Sequence, residues 1–166
     1  MVAVTPRARR NGVDAESAAV LVALRRVVRY LRLADRAAEA ACNLSAAQLF
    51  VLRAVAEMPG MSLAELARTT VTDQSSVSTV VARLVQRRLV QRRPSARDRR
   101  RAELRVTAAG ERVLRTAPRV PQREMIAAIR AMSAVRRGEL VRALEGLVSL
   151  IGASEVAPRM LFEDER

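Results

Sequence analysis

The sequence predicts a mainly α chain (α+β) with one small pair of strands, and three observations lead there. Apolar residues recur at helical spacing over long stretches at both ends of the 166-residue chain. In residues 62–107 a short helix, a tight turn and a second helix precede two short apolar runs around an arginine-loaded loop. Two capping boxes mark helix starts in the middle of the chain. In that order the features read as a winged helix-turn-helix module, flanked by N- and C-terminal helices that form a dimerisation region.

Residues 1–13, with Arg7, Arg9, Arg10, Pro6 and Gly12, read as a flexible basic arm. A long helix is expected over about 14–42. Leu21, Leu24, Val28, Leu31 and Ala38 form its apolar stripe, with Arg25, Arg29, Arg32 and Arg36 beside it. Asn43 is suited to a left-handed stop. Ser45 with Gln48 makes the first capping box, with Leu44 and Leu49 as its hydrophobic staple, and opens a helix over 46–57. Pro59-Gly60 turns the chain. Ser62 with Glu65, stapled by Met61 and Leu66, then opens a short helix over 63–69.

Thr72 or Asp73 caps the next helix, which runs to about Arg88. Val77, Val80, Val81 and Leu84 face inward there, leaving Gln74, Ser75, Ser78 and Thr79 on the opposite side. Residues 89–93 and 102–106 read as the wing strands, with Leu104 and Val106 turned to the core. Thr107 starts a helix that continues, interrupted by Pro118 and Pro121, to about Met132. Ser133 caps the last helix, to about Gly152. The expected organisation is therefore 14–44 plus 107–152 for the helical dimerisation region and 45–106 for the winged module. The tail, 153–166, has no clear period. Ile126, Ile129, Leu140, Leu144, Leu147, Val148 and Ile151 form an apolar stripe too wide for the small central module to cover. The same surface of a second chain is the simplest partner.

Half the residues are hydrophobic and the net charge is +13, so an anionic partner is expected, either nucleic acid or an acidic membrane surface. The 30 basic residues are all arginine, a bias read more simply as genome composition than as function. Residues 87–101 hold eight of them against one acid, Asp98. Standing alone, such a run would read as a solvated face; beside a helix-turn-helix it suits a phosphate backbone. No apolar run nears the roughly 20 residues of a membrane span, and the N-terminus lacks a signal-peptide core. A soluble cytoplasmic protein is expected. With no histidine, no nucleophile set, no glycine-rich phosphate loop and no metal-ligand cluster, neither an enzyme nor a cofactor or metal protein is expected.

The segments LSAAQLFVLRAVAE (44–57), SLAELA (62–67), DQSSVSTVVARLVQRRLVQRR (73–93) and DRRRAELRVTAAG (98–110) carry a resemblance. Together with the order Asp98-x-Arg100, then Leu104-x-Val106-Thr107-x-x-Gly110, they resemble the MarR family of bacterial transcriptional regulators over roughly residues 16–152. The resemblance implies a homodimer with intertwined first and last helices, each winged module docking half of a pseudo-palindromic operator in double-stranded DNA. It also implies a repressor released by a small aromatic or lipophilic ligand, bound between the dimer helices and the DNA-binding lobe. Some members respond to thiol oxidation instead.

For base contact the candidates are Gln74, Ser75, Ser78 and Thr79: Gln can pair with adenine, and Ser or Thr with several bases. A solvated polar residue is the plainer reading of each. Arg83 and Arg87 flank them as phosphate contacts. The family pattern assigns Arg100 to the minor groove. Asp98 would pair with an arginine and shape the loop, and Arg97, Arg99 and Arg101 would be backbone contacts or solvated. Arg25, Arg29 and Tyr30 could line a pocket for an aromatic acid, or the two arginines could be surface charges. Cys42 lies at the wrong end of the first helix for a thiol sensor and reads as a small buried residue. Absent histidine argues against a zinc sensor, and absent tryptophan against a urate-responsive one. An architectural nucleic-acid-binding protein with little sequence preference, and a thiol-based redox regulator, stand as alternatives.

Overall fold

The computed structural model describes residues 14–94 and 102–161. They form α1 (Ala15–Cys42), α2 (Ala46–Glu57), α3 (Leu63–Thr70), α4 (Gln74–Gln86), β1 (Val90–Pro94), β2 (Ala102–Val106), α5 (Ala108–Thr116), α6 (Pro121–Ala131) and α7 (Ala134–Leu150). The mainly α winged helix-turn-helix expected from the sequence is the fold observed.

Helix boundaries follow from local chemistry. Asp14 caps α1 by accepting from the Ser17 N–H, and Asn43 ends it in the left-handed region at φ 53°. Both capping boxes form: Ser45 with Gln48 at α2, and Ser62 with Glu65 at α3. Asp73, not Thr72, caps α4, because Val71 already closes α3 at φ 54°. At its other end α4 stops at Gln86, two residues short of expectation, and Arg88 takes a left-handed turn at φ 57°. Beyond α5, Pro121 occupies the first turn of α6, where its missing N–H costs nothing.

The core is built around α2, which packs on α1, α3, α4, α5, α6 and β2. Leu52 and Val55 of α2, Leu66 of α3, Val77, Val81 and Leu84 of α4, and Leu104 of β2 are wholly buried. Each such side chain contributes about 1.5–3 kcal/mol of transfer free energy. Two polar groups missed in the sequence brace this core. Buried Asp35 accepts the Ala46 N–H at 2.6 Å, fixing the corner between α1 and α2. Arg53 donates to the Ala117 and Pro118 carbonyls at 2.9 and 2.8 Å, pinning the α5–α6 break onto α2.

The wing strands pair antiparallel, with Val90 opposite Val106 and Arg92 opposite Leu104. β2 is also clasped on its other edge. Gly60 N–H donates to the Leu104 carbonyl, and Leu104 N–H to the Met61 carbonyl, each at 2.9 Å. Thr107 caps α5, accepting the Gly110 N–H at 3.1 Å while its hydroxyl donates to Arg88 O.

Within one chain, the terminal helices are only partly covered. Leu31 and Ala38 of the α1 stripe are buried as expected, but Leu21 and Val28 are exposed. No residue of α7 is buried. In the tail, for which the sequence offers no pattern, Met160 lies in the core, 6% exposed.

Candidate nucleic-acid interface

Helix α4 is amphipathic in the sense a reading helix needs. Val77, Val80, Val81 and Leu84 anchor it, while Gln74, Ser75 and Thr79 are exposed and Ser78 is half-buried. Its N-terminal turn is rigid. Asp73 accepts the Ser75 hydroxyl at 2.5 Å and the Ser76 N–H at 2.9 Å, and Thr79 donates to the Ser75 carbonyl at 3.2 Å. Ser75 and Thr79 thus spend their hydroxyl protons locally and present acceptor lone pairs outward. The Ser75 hydroxyl, then the Ser76 backbone N–H, hold the Asp73 carboxyl well below the usual carboxylate range.

A depressed carboxyl pKa stabilises the fold above its unfolded value and is lost as pH falls. Asp73→Ala is therefore expected to lower the melting temperature at neutral pH, with Asp73→Asn recovering most of the loss through its capping oxygen. The difference between wild type and the alanine variant should shrink below pH 3.8, the unperturbed value. Thermal melts across pH 2–7 would show it.

Arg83 is half-buried on α4, and β1 leaves Arg92 and Arg93 exposed just beyond the helix. Arg87 is exposed and also bonds within its own chain. Its guanidinium reaches back to donate to the Asn43 carbonyl and, at 3.4 Å, to Gln48 Oε1, so it braces the α1–α2 corner. Arg97, Asp98, Arg99, Arg100 and Arg101, the expected wing tip, lie outside the described residues.

The three candidate ligand residues do not converge. Arg25 and Arg29 line an open groove along α1 with Leu21, Leu24 and Val28. Tyr30 instead donates its hydroxyl to Glu124 of α6, and that hydrogen bond raises the phenol pKa. Cys42 packs half-buried against the core, where burial pushes its thiol up; this suits a packing residue better than a reactive thiolate. Among the described residues no group of His, Cys, Asp or Glu is placed to hold a metal ion, and no helix is long and apolar enough to cross a membrane.

Residues 43–101 match the model of the MarR family. The transcriptional regulator HosA of Escherichia coli O127:H6 is 36% identical over 75 residues, 45% of this chain and 56% of HosA. The chain thus spans about half the length of the curated relatives it matches, at 56%. Two solved structures share the fold. The PcaV transcriptional regulator of Streptomyces coelicolor, in complex with its natural ligand, has a TM-score of 0.55 at 22% identity, covering 83% of this chain and 96% of PcaV. Streptococcus pneumoniae FabT, in complex with DNA, has a TM-score of 0.53 at 16% identity, covering 82% and 96%. The likeness to the MarR family is carried by the segment that forms α2, α3, α4 and the first wing strand.

Proposed function

We propose that the chain is a sequence-specific DNA-binding regulator, a homodimeric repressor released from its operator by a small-molecule ligand. The observation that carries this reading is α4: an anchored helix whose polar face, Gln74, Ser75 and Thr79, stands in solvent beside a basic wing stem. Gln74 and the serine and threonine oxygens would meet base edges in the major groove. Arg83, Arg92, Arg93 and the wing-tip arginines would neutralise phosphates, with Arg100 in the minor groove and Asp98 shaping the loop. The uncovered apolar faces of α1 and α7 support a second copy as partner. A small aromatic acid suits Arg25 and Arg29, whose groove has apolar walls.

The test is binding of the purified protein to its own upstream DNA against a scrambled duplex at physiological salt. About a thousandfold preference is expected. Equal, steeply salt-dependent binding to both, and to fragments selected across the genome, would favour the architectural reading to which the +13 charge also lends itself. Arg100→Ala is expected to weaken operator binding about tenfold and leave the oligomer intact. Unchanged affinity in a gel-shift titration would remove Arg100 from the interface.

A further inference from the structure

The end of the described chain returns to the body of the protein. Pro158, Arg159 and Leu161 are exposed, yet Met160 between them is 6% exposed and joins the core cluster that includes Phe50 of α2. The segment lies in a cleft whose walls are α2, α6 and the α3–α4 turn, Thr70 to Thr72. Gln122 of α6 holds it: its Nε2 donates to the Leu161 carbonyl at 3.3 Å. The other end of that amide is not matched. Gln122 is 7% exposed, and its Oε1 is buried without a hydrogen-bond partner among the described residues. A buried acceptor with no donor is costly, and calls for an explanation.

About 230 Å³ stays open beside Met160, walled by Phe50, Ile126 and Ile129. Small-molecule sites typically span roughly 300–1,000 Å³, so the space falls short with the tail in place and enters that range once the Met160 side chain leaves. Residues 158–161 form neither helix nor strand, and among them Met160 alone is buried.

We propose that residues 158–161 are an internal plug in a ligand cleft. A small, mainly apolar molecule bearing an N–H or O–H donor enters by displacing Met160 and donates to Gln122 Oε1. The cleft wall Thr70-Val71-Thr72 leads directly into Asp73, the cap of α4, so exchanging plug for ligand acts on the start of that helix. The link to DNA rests on α4 being the reading helix. The experiment below contains no DNA, so its failure is distinct from failure of that assignment.

The probe is 1-anilinonaphthalene-8-sulfonate, an apolar dye with one N–H. In the full chain with methyl-labelled methionine, the Met160 signal is identified by its loss in Met160→Leu. It is expected to move to the solvent-exposed methionine position as the dye saturates. A chain ending at Ala157 should bind the dye roughly tenfold more tightly, because no fraction of its clefts is plugged. Gln122→Leu in that shortened chain should reverse much of the gain. A Met160 signal that stays in place at dye saturation overturns the proposal, and that reading needs only the full chain should the shortened one not fold. A shortened chain that folds but shows no gain in affinity also overturns it.

Discussion

Gly110→Ala is expected to destabilise the winged module by about 2–3 kcal/mol. A Cβ at this position would stand 2.4 Å from the Leu89 carbonyl oxygen and 2.6 Å from Val106 Cγ1. The first of these is backbone, and it is already in use: Leu89 O accepts the Thr107 N–H at 3.0 Å. Relieving the clash therefore moves the junction between α4 and β1, loosens the cap of α5 and pulls Val90 from its partner Val106. Flexible side chains cannot absorb the change, which distinguishes it from an ordinary overpacked core. Urea denaturation measures the loss, and a midpoint within error of wild type would show that α5 can slide away from the wing at little cost.

Ending the chain at Arg130 is expected to abolish the proposed dimer and to weaken operator binding on the order of a hundredfold, because two linked half-site contacts become one. α7 is the reason. It contributes no buried residue to its own chain, and Val141, Leu144 and Val148 are 51%, 45% and 41% exposed. The truncation also removes Met160 from the core, so a second variant isolates the interface. Leu144→Asp with Val148→Asp keeps the tail and should give a folded species of one 18.2 kDa chain in sedimentation equilibrium. A folded chain lacking α7 that binds operator at full affinity would contradict the dimer.

How far the sequence could be read depended on whether the deciding interaction was local. The starts of α2 and α3 were legible because Ser45 with Gln48 and Ser62 with Glu65 are three residues apart and carry their own hydrogen bonds. Asn43 marked the end of α1 equally well. The start of α4 was open between Thr72 and Asp73, since the stop that decides it is Val71 in a left-handed conformation β-branched residues rarely adopt. Arg88 hides the end of α4 in the same way.

At the candidate site, the inward residues of α4 were legible from their period, and with them its outward face. What spacing could not reveal were contacts across long sequence separations. Arg87 turned to Asn43 and Gln48, Asp35 to Ala46, Arg53 to Ala117 and Pro118, and Tyr30 to Glu124. Met160 was equally hidden, because one apolar residue in a mixed tail makes no pattern. Gly110 was visible as part of the family signature, but its reason, the approach of Leu89 O, needed three dimensions.

The clasp between β2 and the turn ahead of α3 has a mechanical consequence. Through Gly60, Met61 and Leu104 the stem of the wing is bolted to the chain that enters α3, whose partner is α4. Load applied to the wing passes into the helix pair and is not dissipated in the hairpin. In the proposed interface, with α4 in one groove and the wing in another, engagement in one would fix the approach angle in the other. Operator substitutions beneath the wing and beneath α4 would accordingly combine non-additively, as parts of one lever do, although no base pair is shared between them.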